Sequence, residues 1–190
     1  ERTMKIKYNA PVTLTFALIC AVVLLLDSIL GTNLIPRIFS VPGRTGFNFS
    51  NPVNYVRLFT HIAGHADWNH LISNFAFILL LGPILEEKYG SATFTFMFLS
   101  TALITGLLNA LFLSTGLLGA SGIVFMMILL ISFTNIRNGE IPLTFILVLI
   151  LYLAREILNT FRDNNISEFA HIIGGLCGSL FGFFKPHKRG

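Results

Sequence analysis

Residues 119–134 read GASGIVFMMILLISFT, a serine among three small residues followed by a long apolar run. The pattern places Ser121 at the N-terminal edge of a predicted helix, where Gly119, Ala120 and Gly122 leave little bulk around its hydroxyl. A catalytic nucleophile can be presented in this way. An ordinary helix start looks the same, since Ser is a common N-cap residue and Gly permits close packing. The stretch alone leaves both interpretations open.

The composition indicates a membrane protein. Of the 190 residues, 54% are hydrophobic and 12% are charged, whereas soluble domains carry about 25% charged residues. The net charge of +4 is dispersed, and no basic tract with interleaved aromatic residues predicts a nucleic-acid partner. Cys20 and Cys177 lie in apolar runs, so neither a disulfide nor a metal framework is implied. We expect membrane lipid around the chain and no cofactor.

Six apolar segments can span or nearly span a bilayer, for which about 20 residues are needed. Because unpaired backbone cannot face lipid, we predict an all-α membrane protein, a single six-helix bundle domain over residues 1–190. The first segment begins close to residue 1, which favours a longer natural chain with a soluble terminal domain. The predicted helices cover about 11–30, 68–85, 93–113, 121–134, 143–158 and 167–184.

The basic residues predict the orientation in the membrane. An even number of helices places both termini on one side, and 8 of the 13 Lys and Arg residues fall on that side. The positive-inside rule makes this side cytoplasmic. The five basic residues predicted outside are Arg37, Arg44, Arg57, Arg155 and Arg162.

The first outside connection, about 31–67, is long and apolar. Turn signals at Pro42-Gly43 and Asn51-Pro52 divide it. A loop of this length and composition is expected to lie in the membrane interface, packed against the bundle.

The fourth predicted helix is short. About 14 residues at 1.5 Å each give roughly 21 Å, against a hydrocarbon thickness of about 30 Å. Polar residues fix its inner end, so Ser121 should lie about 10 Å below the outer surface. Non-helical backbone is tolerated at that depth only where it lines a cavity. The sequence therefore favours a buried, wet pocket around Ser121.

Polar side chains of three predicted helices share this depth. His70 and Asn74 are four residues apart on one face of the second helix, and His171 lies about one turn into the sixth. Polar groups inside membrane segments are rare and usually functional. His70, Asn74 and the free N–H of Ser121 could form an oxyanion hole, or the two side chains could join helices by hydrogen bonds. Small residues next to His171 predict close helix packing; they are Ala170, Gly174, Gly178 and Gly182.

A metal site is an alternative for the histidines before the second helix. His61, His65, Asp67 and His70 lie within ten residues, a composition that can bind zinc. No Glu lies between His61 and His65 in the arrangement typical of zinc proteases. We favour hydrogen bonds from these residues to loop backbone.

In combination, these motifs resemble the rhomboid family of intramembrane serine proteases, and within it the bacterial GlpG type. The resemblance covers nearly the whole chain. It includes the six-helix core, the long first loop and four motifs in the same order, which are His65-x4-His70-x3-Asn74, Gly82-x3-Glu86-x3-Gly90, Gly119-Ala120-Ser121-Gly122 and Ala170-His171-x2-Gly174-Gly175-x2-Gly178.

The resemblance implies a serine endopeptidase that cuts transmembrane segments of single-pass membrane proteins near their outer end. Ser121 would be the nucleophile and His171 its general base, without a carboxylate as third member. His70, Asn74 and the Ser121 N–H would stabilise the oxyanion. The bacterial GlpG type lies in the inner membrane, which implies a site that opens to the periplasm.

The resemblance also implies supporting roles. Glu86 would be a hydrogen-bonding post between helices, and Arg57 would anchor the first loop, although Val56 replaces the usual Trp before it. Phe125 stands where the family often has a Tyr beneath the histidine ring. Gly119 would leave room for a substrate backbone, and Gly122 would let the helix that carries His171 approach.

Two other functions stay open. A catalytically inactive rhomboid-like protein that binds membrane helices should lack Ser or His, and this chain has both. A histidine-based transporter is typically built from inverted repeats or matched broken helices, and the sequence has neither.

Overall fold

The computed structural model describes residues 6–31, 33–133 and 168–184, together with the separate positions 143, 146, 147, 150, 151 and 154. Within these residues all regular elements are helical, and no strand occurs. The helices are α1 (Pro11–Leu30), α2 (Leu34–Ile38), α3 (Pro52–Thr60), a 3-10 turn (His61–Ala63), α4 (Trp68–Tyr89), α5 (Ser91–Phe112), α6 (Ser121–Phe133) and α7 (Glu168–Phe184).

Three of the described helices, α1, α4 and α5, are long and apolar enough to cross a membrane. They have 20, 22 and 22 residues, whereas α6 has 13 and α7 has 17. At 1.5 Å per residue, α6 is about 20 Å long, close to the length expected from its sequence. The predicted helix over 143–158 lies mostly outside the described residues.

α4 is longer than its sequence predicts. The sequence predicts its end near Leu85, but the helix continues through Glu86, Glu87 and Lys88 to Tyr89. It continues because the Glu86 carboxylate is fully hydrogen-bonded inside the protein, so that its charge does not end the helix. Gly90, with φ of 81°, then turns the chain directly into α5.

Glu86 joins three helices. Its Oε1 accepts hydrogen bonds from the Val12 N–H at 2.9 Å and the Ser91 hydroxyl at 2.7 Å. Its Oε2 accepts from the N–H and the hydroxyl of Thr13, both at 3.0 Å. The carboxylate therefore caps the start of α1, and it holds the start of α5 against the end of α4. The role of Glu86 as a hydrogen-bonding post stays a prediction, and these four hydrogen bonds are the contacts on which it would rest.

Glu86→Gln is expected to lower the free energy of unfolding by about 3 kcal/mol, because an NH₂ group would then face backbone donors that need an acceptor. The thermal unfolding midpoint in detergent should fall by roughly 6–12 °C for a chain of this size. Glu87→Gln is the matched control, since the neighbouring Glu87 side chain is exposed. Equal midpoints for the two variants would contradict the structural role of Glu86.

α6 is the central helix of the described structure. Residues 122–127, 129 and 130 are all buried, so the helix is enclosed on nearly every side. Its side chains form the main apolar core together with residues of α4, α5 and α7, including Ile78, Phe94 and Cys177. Because the residues that follow it in α6 are buried, Ser121 at the start of the helix is held in a fixed position.

α6 and α7 pack more extensively than any other described pair of helices. Their backbones touch: a β-carbon on Gly174 would overlap the carbonyl oxygen of Gly122, and one on Gly178 would overlap that of Met126. The glycine stripe predicted from the sequence thus serves close helix contact, as small residues do in membrane proteins.

The first connection, residues 31–67, is folded against the α5–α6 connection. α2 and α3 lie within it, and Arg57 joins them by donating to the carbonyl oxygens of Pro36 and Arg37 and to Asn54 Oδ1. Val41 and Leu117 form an antiparallel bridge with N–H···O distances of 2.8 and 2.9 Å. Arg57 therefore links α2 to α3 within this connection.

Candidate active site

A cavity of about 590 Å³ lies where α4, α6, α7 and the α5–α6 connection meet. Four residues that the sequence predicts for the site, Ser121, His171, His70 and Asn74, line it together. The complete lining consists of Ala66, Asp67, Asn69, His70, Ser73, Asn74, Phe77, Gly116, Leu117, Leu118, Ser121, Val124, Phe125, Ile128 and His171.

Ser121 begins α6, and the residues before it shape the cavity wall. The Ala120 carbonyl accepts the Val124 N–H at 2.9 Å, which makes Ser121 the first residue of the helix. N–H groups of a first turn have no partner within their own helix, so the Ser121 N–H is available as a donor. Gly119 has φ of 112°, a conformation in which a side chain is strained. A β-carbon there would also lie 2.7 Å from the Cε1 and Nε2 atoms of His70.

His171 lies in the cavity wall and is buried, with 4% of its surface exposed. Its ring stacks on Phe125, with 4.4 Å between centroids and 39° between planes. Phe125 follows Ser121 by one turn on α6, so this contact sets the imidazole above the helix that carries the hydroxyl. The backbones of α6 and α7 come into contact at Gly122 and Gly174, and this close packing allows the His171 ring to reach Phe125.

The hydrogen bonds of His70 indicate which of its ring nitrogens carries the proton. Its Nδ1 accepts the Ala66 N–H at 3.4 Å, and its own backbone N–H donates to Asp67 Oδ1 at 2.8 Å. A neutral imidazole whose Nδ1 accepts must carry its proton on Nε2. That Nε2–H lies beside Gly119, two residues before Ser121.

Asn74 supplies a second donor to the same wall. It lies one turn after His70 on α4 and is 6% exposed. Its Nδ2 has no hydrogen-bond partner among the described residues. A buried amide donor without a partner costs free energy, and an oxyanion bound in the cavity would satisfy it.

His65 and His61 do not line the cavity. His65 is fully buried, its Nδ1 is 3.3 Å from the Ala63 carbonyl oxygen, and its ring stands edge-on to His70 with 5.0 Å between centroids. His61 Nδ1 is 3.2 Å from the Arg57 carbonyl oxygen, and the His61 carbonyl accepts the Gly119 N–H at 2.9 Å. Each side chain therefore lies within hydrogen-bonding distance of a backbone carbonyl, which belongs to α3 for His61 and to the 3-10 turn for His65. Of the residues that the structure describes, no three His, Cys, Asp or Glu side chains converge on a metal position.

Acid is expected to destabilise the protein through these two histidines. The pKa of both His61 and His65 is lowered from 6.5 to about 4, chiefly by burial, and for His65 the nearby His70 contributes to the lowering. Above pH 6.5 both rings are neutral in the folded and unfolded chain. Between pH 6.5 and 4 the unfolded chain binds more protons, so stability falls by up to about 3 kcal/mol per ring.

The thermal unfolding midpoint in detergent checks this expectation at pH 7.5, 5.5 and 4.5. The loss on acidification should be smaller in His61→Asn than in the unsubstituted protein, because Asn does not titrate. A midpoint that stays constant from pH 7.5 to 4.5 would exclude the proposed cause.

The sequence-based prediction missed part of the cavity wall. Asn69, Ser73 and Phe77 follow one another at spacings of four on α4, and all three face the cavity. This spacing places them on one helix stripe beside His70 and Asn74, a signal that could have found them. Glu86 and Arg57, in contrast, lie away from the cavity and support the fold.

Comparison with known proteins identifies a matching family and several relatives. The family profile described as "Rhomboid domain" matches residues 52–188, more than half of the chain. YdcA of Bacillus subtilis, whose name assigns it provisionally to the rhomboid proteases, is 30% identical over 141 residues, which are 70% of this chain and 68% of YdcA. RHOMBOID-like protein 1 of Arabidopsis thaliana is 31% identical over 135 residues, covering 67% of this chain and 33% of that protein. Rhomboid protease GlpG of Haemophilus influenzae is 22% identical over 136 residues, 70% of this chain and 71% of GlpG.

The matched region spans about two thirds of the bacterial relatives and one third of the plant protein. The part of the chain matched by the family profile, residues 52–188, contains every residue that lines the cavity. With its membrane-length helices and its match from residue 52 to 188, this chain is a membrane protein of the rhomboid family.

Proposed function

We propose that the chain is an intramembrane serine endopeptidase that cleaves transmembrane segments of single-pass membrane proteins with a Ser121–His171 dyad. One observation carries the proposal. A hydroxyl, an imidazole and two hydrogen-bond donors, separated by up to 101 residues in the sequence, line the same cavity. Two of the relatives are named as rhomboid proteases, which supports the same activity.

The chemistry follows the acyl-transfer scheme of serine hydrolases. His171 accepts the proton of the Ser121 hydroxyl while Oγ attacks the substrate carbonyl carbon, and the C=O π electrons move to the oxygen. The His70 Nε2–H, the Asn74 amide and the Ser121 N–H would donate to this oxyanion. The C–N bond then breaks, His171 returns its proton to the leaving amine, and water hydrolyses the ester by the reverse sequence.

The cavity explains how this reaction could proceed in a membrane. Water is needed for the second half of the reaction, and polar side chains of α4 line a space large enough to hold it. A substrate helix must unwind near the cleaved bond, because helical amides are hydrogen-bonded and shielded. We also propose the full six-helix arrangement in the bacterial inner membrane, with both termini cytoplasmic, the first connection in the interface and the cavity open to the periplasm.

The decisive experiment treats the purified protein with a fluorophosphonate probe and with a single-pass reporter substrate, in the presence and absence of a metal chelator. We expect labelling and cleavage that survive the chelator and disappear in Ser121→Ala. Ser132→Ala is the matched control, since its hydroxyl donates to the Ile128 carbonyl at 2.8 Å within the same helix. Substrate binding without cleavage would indicate an inactive rhomboid-like protein, and loss of cleavage with chelator would indicate metal chemistry.

A further inference from the structure

Among the described residues that line the cavity, Asp67 is the only one with a carboxylate. Its side chain is exposed, and Oδ1 accepts the backbone N–H of His70 at 2.8 Å as the N-cap of α4. Within residues 6–133 and 168–184, no Lys or Arg forms a salt bridge with it. The proposed reaction does not use this carboxylate, which lies at the cavity wall.

The position of Asp67 places it near the bond that would be cut. It precedes His70 by three residues, about 4.5 Å along the axis of α4. The His70 ring lies against Gly119, two residues before Ser121. An extended substrate advances about 3.3 Å per residue, so side chains within about three residues of the bond can reach the Asp67 carboxylate.

The negative charge of the Asp67 carboxylate is only partly compensated by neighbouring groups. The N-terminus of α4 offsets about half an elementary charge at the capping carboxylate. The other titratable groups of the cavity, His70 and His171, are neutral before the reaction in the proposed scheme. A cleft with apolar walls concentrates the field of the remaining negative charge, and Leu117, Val124 and Ile128 supply such walls here.

From this geometry we propose that Asp67 determines charge specificity: the protein prefers membrane segments with Lys or Arg within about three residues of the cleaved bond and disfavours acidic residues there. The inference rests on the proposed function, since it specifies the substrates of the same cavity.

The test compares three reporter substrates that carry Lys, Gln or Glu at one position, scanned through the six residues around the cut. At one or more positions, kcat/KM of the unsubstituted protein should be about fivefold higher for Lys than for Gln and about fivefold lower for Glu. Asp67→Asn should reduce both differences to below about twofold, because Asn is an equally good N-cap and removes only the charge. High salt should also reduce them.

One control variant and one substitute variant complete the test. Asp27→Asn alters another carboxylate, which accepts the N–H groups of Leu34 and Ile35 away from the cavity, and should keep the charge preference. Asp67→Ser retains an N-cap and replaces Asp67→Asn if that variant does not fold.

Binding of fluorescent Lys and Glu peptides to Ser121→Ala tests the charge preference without catalysis. Absence of cleavage by the unsubstituted protein would refute the proposed function, whereas this binding preference would still support the role of Asp67. A preference that is absent from the unsubstituted protein, or unchanged by both Asp67 substitutions, would overturn the inference.

Discussion

His171→Ala is expected to fold and to lose at least about 10³-fold in kcat, because general-base catalysis contributes up to about 10⁴-fold. Fluorophosphonate labelling of Ser121 should fall in parallel, since an unassisted serine hydroxyl is a weak nucleophile. The side chain borders an existing cavity, so its removal opens space next to Phe125 without uncovering a large part of the core.

The decisive readout for the dyad is non-additivity. If Ser121 and His171 act as a unit, the double variant should be no slower than either single variant. The thermal unfolding midpoint of each variant in detergent is the control for folding. Two results would show that the residues do not form a dyad. One is a rate loss in the double variant equal to the product of the losses in the two single variants, and the other is cleavage by His171→Ala at a rate near that of the unsubstituted protein.

Gly174→Ala is expected to lower both stability and activity strongly. The added methyl group would overlap the carbonyl oxygen of Gly122, and backbone on both sides leaves no side chain that can move aside. We expect a loss of about 3 kcal/mol, the upper end of the range for overpacked cores. Cleavage should be lost as well, because α7 carries His171 one turn before Gly174 and would be displaced from Ser121.

Gly122→Ala is the matched control for stability in the same interface. Its methyl group would lie 3.3 Å from the Ala170 carbonyl oxygen and 3.5 Å from Thr105 Cγ2, distances that a small shift accommodates. The thermal unfolding midpoint of Gly122→Ala should therefore remain well above that of Gly174→Ala. If the order were reversed, the backbone contact between α6 and α7 would not be the cause.

Much of this organisation could be predicted because a membrane requires long apolar helices, which are easily recognised in a sequence. Apolar length predicted α1 over residues 11–30, its bounds in the structure, and the shortness of the run after Ser121 predicted a helix of about 20 Å. Polar residues in apolar helices are conspicuous, so His70, Asn74 and His171 could be chosen as candidates from their depth alone.

Other features depend on contacts between distant residues, which periodicity does not encode. Gly119 must be glycine because the His70 ring occupies the space of a side chain, although 49 residues separate them in the sequence. The tautomer of His70 follows from a hydrogen bond with Ala66 in a loop. The end of α4 was misplaced for the same reason, since Glu86 finds its partners on α1 and α5.

The division of the cavity between α4, α6 and α7 has a consequence for biosynthesis. A ribosome delivers His70 first, then Ser121, and His171 only after another 50 residues have been added. Until α7 packs along α6, a nascent chain holds a serine without its base. If the proposed dyad is the catalyst, the growing protein is therefore inert during membrane insertion and becomes a protease only when its last described helix is in place.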